Sequence, residues 1–147
     1  MVKFGLGFTA YLLFSFSLFL AASNTISGWI VYLFLLLPFY GVILLLTWLF
    51  IAKNRTKTVQ IKSKIWSIVL LLQVATLLTS PGNCYGVKQG SRCYSNLQVL
   101  IENIPRTGYS NLPHWTLVED AFLGLLLGYA IALLWGILST KNHDSQV

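Results

Sequence analysis

The chain alternates between long apolar runs and short polar intervals, and the lengths of the two set its architecture. Apolar runs at about 4–22, 29–52, 65–80 and 117–139 are separated by an uncharged turn (23–28), a basic interval (53–64) and one long polar interval (81–116). A helix rises 1.5 Å per residue, so about 20 residues cross the ~30 Å hydrocarbon core of a bilayer. The pattern predicts an all-α membrane protein, a single integral domain over 1–147 with four transmembrane helices. The third run is the shortest and relies on Lys62 and Lys64 snorkelling from its end and on Trp66 at the interface. The first run follows Lys3 and ends in Ala21-Ala22-Ser23, as a secretory leader would. Its apolar stretch exceeds the ~7 to 15 residues of a leader, so an uncleaved anchor is expected.

Particular residues refine the runs. Pro38 in the second run has no N–H for the carbonyl of Phe34, which predicts a kink, with Gly41 one turn later easing the approach of a neighbour. Gln73 is the one side-chain amide near the middle of a run and is expected to bond a neighbouring helix. In the fourth run Gly124, Gly128, Ala132 and Gly136 recur every fourth residue, a smooth stripe for packing within the chain or against a copy or partner. Thr116 and Glu119 have the spacing of a capping box at its start, and Glu119 and Asp120 suit the positive end of the helix dipole.

Charge orients the map. Lys53, Arg55, Lys57, Lys62 and Lys64 crowd the short interval with no acid among them, so this loop is expected on the cytoplasmic side. With four spans Lys3 and Lys141 join them, leaving only Lys88, Arg92 and Arg106 outside, where Glu102, Glu119 and Asp120 cancel them. Both termini are then cytoplasmic, and Asn54-Arg55-Thr56 is a glycosylation sequon on the wrong side. Trp29 and Trp115 fall at outer ends, and Trp48, Trp66 and Trp135 near inner ends, as interfacial belts require. The expected location is a bacterial plasma (inner) membrane, another energy-transducing or internal membrane being the alternative.

Composition agrees: 56% hydrophobic and 10% charged residues exclude an ordinary soluble domain. The net charge of +6 sits between apolar runs and forms no face that could track phosphates, which argues against nucleic acid. The lipid bilayer is the expected partner, together with other membrane proteins or a second copy through the fourth helix. Apart from Glu119 and Asp120 at the start of the fourth, the four runs contain no Asp, Glu, Lys, Arg or His, so proton relays, buried ion sites and haem ligation find no groups in their interiors, and neither cofactor nor metal is expected.

The long interval is the one segment able to fold outside the bilayer. Cys84 and Cys93 bracket a Gly-rich turn containing Lys88 and Gly90 and are expected to form a disulfide that braces this loop. Leu97, Leu100, Ile101 and Ile104 then follow helical spacing, with Ser95 and Gln98 as a capping box and Pro105 as the stop. This predicts a short amphipathic helix lying on the membrane surface or over the tops of the spans. His114 with Glu119 and Asp120 could make a metal or acid–base site, but there is no second histidine nearby and no ligand spacing.

Four spans with extracytoplasmic cysteines resemble the membrane thiol oxidoreductases that pass electrons from a disulfide to quinone, of the DsbB and vitamin K epoxide reductase type. The resemblance rests on span count and loop placement. It implies a redox-active Cys84–Cys93 pair, although these residues are nine apart, without the family's C-x-x-C spacing or a second pair. Three functions follow for comparison: a non-enzymatic accessory or assembly subunit of a membrane complex, which the missing catalytic groups favour; a thiol–disulfide oxidoreductase; and a channel or carrier for a neutral solute or lipid, suggested by Pro38, Gly41 and Gln73.

Overall fold

The computed structural model describes residues 1–23, 25–54, 58–60, 62–85 and 92–143, except for the side chains of 58–60 and 141–143. The protein is mostly helical. Helix α1 covers Val2–Ala22. The next helix is continuous over Ile26–Lys53 and consists of α2 (Ile26–Val31), a π-helical segment (Tyr32–Leu36) and α3 (Leu37–Lys53). Then follow β1 (Thr58–Gln60), α4 (Ser63–Thr79), β2 (Pro81–Asn83), β3 (Tyr94–Ser95), α5 (Asn96–Ile101), α6 (Thr116–Leu138) and β4 (Lys141–His143). Three helices, Val2–Ala22, Ile26–Lys53 and Thr116–Leu138, are long and apolar enough to cross a membrane. Ser63–Thr79 is also apolar, but its 17 residues reach only about 25 Å.

The all-α expectation omitted two short antiparallel ladders. In one, Thr58 lies opposite His143 and Gln60 opposite Lys141, tying the basic interval to the C-terminal segment. In the other, β2 pairs with β3 through a register shift between Pro81 and Asn83. Both satisfy backbone groups that no helix supplies with partners.

The helices associate as α4 with α6 and α1 with α3. Large apolar side chains such as Phe14, Phe34, Leu71 and Leu127 point outward, so hydrophobicity does not distinguish the inner face. The inner face is marked instead by the buried polar side chains Ser15, Thr47, Gln73, Thr76 and Ser80, together with aromatic core residues such as Phe19, Tyr32 and Tyr129.

The irregularity around Pro38 is a π-helical segment just before it. The N–H of Leu37 bonds the carbonyl of Tyr32, five residues back, which widens the helix where the proline ring would otherwise crowd Phe34. The lower twist of this segment offsets the drift of an α-helical four-residue spacing, so Tyr32, Leu36 and Tyr40 all face the core. Gly41, expected to admit a neighbour, is exposed and meets nothing.

At the opposite end from the β1–β4 ladder, the long interval forms a cap held by buried polar side chains. Asn96 Nδ2 donates to Ala22 O (3.0 Å), Leu77 O (3.0 Å) and Ser80 Oγ (2.8 Å), so one amide closes the ends of α1 and α4 together. Asn83 donates to the carbonyls of Pro105 and Gly108, and the Tyr94 hydroxyl to those of Ser110 and Leu112. Gln98 Nε2 donates to Pro113 O (2.7 Å) and Glu102 Oε2 (2.6 Å), while its Oε1 accepts from Trp115 N (3.1 Å). The irregular backbone of 102–115 thus finds its partners in three side chains. The turn between α1 and α2 is stitched to the same place, since Ser23 and Thr25 hydroxyls donate to Pro81 O. Gly28 is required there: a Cβ would lie 1.9 Å from Ser23 Oγ.

Four expectations are corrected in the cap. Helix α5 ends at Ile101 before reaching Pro105: Asn103 adopts φ 51° and the Ile104 N–H bonds Val99 O, a Schellman closure completed by packing of Ile104 with Val99. Its buried face carries Gln98 and Val99, leaving Leu100 and Ile101 exposed. Ser95 does cap α5 by accepting from Gln98 N, but Gln98 does not reach back to complete a box. At α6, Trp115 is the cap residue and Thr116 is already helical; Gln98 Oε1 accepts the Trp115 N–H, and Glu119 meets His114 instead.

Asn96→Asp keeps the shape of the side chain and removes its donors. It is expected to lower unfolding stability in detergent by about 2 kcal/mol, because buried carbonyls at two helix ends lose their partner; chemical denaturation followed by circular dichroism measures this.

Candidate functional site

The middle of the bundle holds a hydroxyl cluster contributed by every long helix. Tyr11 and Ser15 come from α1, Tyr40 from α3, Gln73 from α4 and Tyr129 from α6. Ser15 Oγ lies 2.8 Å from the Tyr40 hydroxyl and 3.1 Å from that of Tyr129; Tyr40 and Tyr129 are 2.5 Å apart, and Tyr129 is 3.2 Å from Tyr11. Tyr11 donates to Gln73 Oε1 at 2.8 Å. Each hydroxyl has one proton, so four protons serve five contacts. Because Tyr11 spends its proton on Gln73, Tyr129 donates to Tyr11, and the protons of Ser15 and Tyr40 are shared among the three contacts that link Ser15, Tyr40 and Tyr129. The result is a chain ending on an amide oxygen. Aromatic rings pack around it, with Phe19 centred 5.0 Å from Tyr32 and 5.7 Å from Tyr129. Gln73 is buried and engaged, so its amide joins helices. The cluster contains no carboxylate, histidine or thiol, and its evident work is cohesion.

At the capped end Glu119, with its side chain only 8% exposed, places Oε1 2.7 Å from His114 Nδ1 and Oε2 3.8 Å from Arg92. Arg92 also reaches Asp120 at 3.3 Å, an open pair whose aspartate is 66% exposed. The His114 ring stacks on Tyr94 at 4.1 Å. His114, Glu119 and Asp120 are therefore near one another, but among the described residues no three His, Cys, Asp or Glu side chains are grouped to hold a metal. The arrangement pins Arg92, next to Cys93, onto the start of α6.

Cys84 and Cys93 form a disulfide, half-buried at the end of the β2–β3 ladder. It joins the strand carrying Asn83 to the strand carrying Tyr94, two of the side chains that anchor the cap. Lys88, Gly86 and Gly90 of the ring lie outside the described residues, as do Arg55 and Lys57 of the basic interval and with them the Asn54 sequon. Lys53 ends α3, and Lys62 and Lys64 flank the start of α4, all exposed.

The small-residue stripe of α6 divides in two. Ala132 is buried, and Gly136 faces Trp66 and Ile65 of α4, with 3.6 Å from a Cβ position to the Trp66 ring. Gly124 and Gly128 meet nothing within 4 Å. Among protein families, curated proteins and solved structures, no match to this chain was found.

Residues that sequence reasoning passed over are the hydroxyl set and the cap anchors Asn83, Asn96 and Gln98. The recurrence of Ser and Tyr inside apolar runs was the available signal for the first. Tyr129→Phe removes the link between Tyr40 and Tyr11 and is expected to lower stability by about 1 to 2 kcal/mol, above the ~0.6 kcal/mol average for membrane hydrogen bonds because several groups lose a partner. Cys84→Ser is expected to cost about 2 to 3 kcal/mol by releasing a short loop. Thermal unfolding in detergent of each variant beside the parent measures both.

Proposed function

We propose that the protein is a four-span, non-enzymatic membrane component, with both termini on the basic, cytoplasmic side, that docks on another membrane protein or on a second copy of itself. The observation that carries this reading is the open half of the α6 stripe. Gly124 and Gly128 leave the helix backbone bare while Leu123, Leu127 and Ile131 stand exposed around them. Such a surface admits a second helix at close range, and in lipid close packing is a main source of helix association. The α4 helix uses the lower half of the same stripe in this way through Gly136. Four crossings are supported by the chain's ends: Met1 and Thr140 line one cavity, and the basic interval pairs with the C-terminal segment beside it. Lys62 and Lys64 at the start of α4 extend its short reach.

Bracing is the role favoured for Cys84–Cys93, since the bond closes the ladder between Asn83 and Tyr94 and makes no separate site. The cap would present the exposed Tyr85, Leu100 and Tyr109 beside the docking helix.

Isolation in mild detergent followed by mass analysis tests the proposal. The expected result is a dimer or a stoichiometric membrane partner whose recovery falls about tenfold in Gly128→Leu, with helix content unchanged because nothing in the chain occupies that space. A monomer without partners, indifferent to Gly128→Leu, would overturn it.

A further inference from the structure

Helix α5 has its polarity inside out. Its buried side carries Val99 and Gln98, whose amide makes three hydrogen bonds. Its other side carries Leu100 and Ile101, which are 69% and 57% exposed. In water, two large aliphatic side chains turned outward forfeit the gain of burial. In lipid they forfeit nothing, and the long helices are arranged the same way, with Ser15 and Gln73 inward and Phe14 and Leu71 outward. Helix α5 thus has the polarity of a segment whose surroundings are apolar.

Hydrogen bonds fix the depth at which it lies. Asn96, the first residue of α5, bonds the carbonyls of Ala22 at the end of α1 and Leu77 in the last turn of α4. Two residues on, Gln98 accepts from Trp115 N at the start of α6. Helix α5 is therefore level with the ends of three long helices. Its six residues rise only about 9 Å, so at any tilt its Cα atoms stay within about 9 Å of that level. The interfacial layer on each side of the hydrocarbon is about 5 to 8 Å deep. Exposed apolar residues in the first turns of α2 and α6, Ile26 and Leu117, carry the lipid-facing surface up to the same height.

Helix α4 gives this placement a purpose. It packs against α5, and its 17 residues fall roughly 5 Å short of the ~30 Å hydrocarbon core. We propose that α5 is an interfacial lipid anchor: Leu100 and Ile101 enter the boundary between headgroups and acyl chains, extending the apolar exterior beyond the last turn of α4. The occupant of this face is the bilayer itself, held by apolar burial and not by headgroup charge. The same two amides that tie the cap to the bundle thereby set the height of the cap above the lipid. The inference rests on the long helices being membrane spans and is independent of docking through α6.

Nitroxide collision measurements on the whole chain in dioleoyl phosphatidylcholine bilayers test this. The only two cysteines are bonded to each other, so Leu100→Cys and, separately, Ile101→Cys give single labelling sites on exposed side chains. Leu71→Cys, outward on α4, is the lipid reference. For the Leu100→Cys and Ile101→Cys labels, the ratio of collisions with oxygen to collisions with a neutral, water-soluble nickel chelate is expected severalfold above that of free label in water. It should stay below the ratio at Leu71→Cys, and replacing part of the lipid with dioleoyl phosphatidylglycerol should leave it unchanged. A free-label ratio at both α5 sites, with a lipid ratio at Leu71→Cys, places α5 in water and overturns this inference alone. Shielding of both α5 sites from both reagents assigns the face to a protein partner and overturns it equally. A free-label ratio at Leu71→Cys as well overturns the membrane reading together with it.

Discussion

The hydroxyl chain from Ser15 through Tyr40, Tyr129 and Tyr11 to Gln73 is the constraint on which the rest of the bundle depends. In water, helices are drawn together by burying apolar faces. In lipid that drive is absent, because a leucine is as well solvated by acyl chains as by another leucine. These helices are apolar on every side, so almost any rotation of one against another would satisfy hydrophobicity alone. Four hydroxyls and one amide leave few rotations acceptable. Each must meet the others or stay unpaired in hydrocarbon, and because five residues from four helices share the set, a slip of one helix would disturb all of them.

The two ends of the bundle meet different demands. At the capped end the difficulty is backbone: residues 102–115 have no regular structure, and their carbonyls are satisfied by Asn83, Tyr94 and Gln98, with the disulfide and the Arg92 contacts holding those anchors in register. At the basic end the difficulty is volume. A chamber of about 350 Å³ lies there between α1, α3 and α6, so the polar ties concentrate at one end of the bundle and the unfilled space at the other.

The sequence showed the helices well because run length against bilayer thickness is a strong physical signal: the predicted run at 117–139 differs by one residue at each end from Thr116–Leu138. The cysteine pair was legible for a similar reason, being the only two in the chain. Inner and outer faces were not legible, since Phe14 and Phe19 look alike in sequence yet one is exposed and the other buried. Spacing misled in α5, where the apolar positions Leu100 and Ile101 turn outward because Gln98 has three bonds to make inside. The capping box at Thr116 failed for a related reason: Trp115 is the cap residue, a glutamine from another element accepts its N–H, and Glu119 meets His114. In each case a distant polar partner overrode a local rule, and local rules have no access to distant partners.

The pairing of α4 with α6 also bears on how the chain is made. Synthesis runs from the N-terminus, so α1 and α3 can meet as soon as both have emerged. Helix α4, the shortest of the four long helices, has α6 as its main neighbour, and α6 is separated from it by the whole capping interval. During that delay α4 must persist with its Gln73 amide lacking the completed hydroxyl chain. Completion of the hydroxyl chain therefore waits on the last helix to emerge, which carries Tyr129.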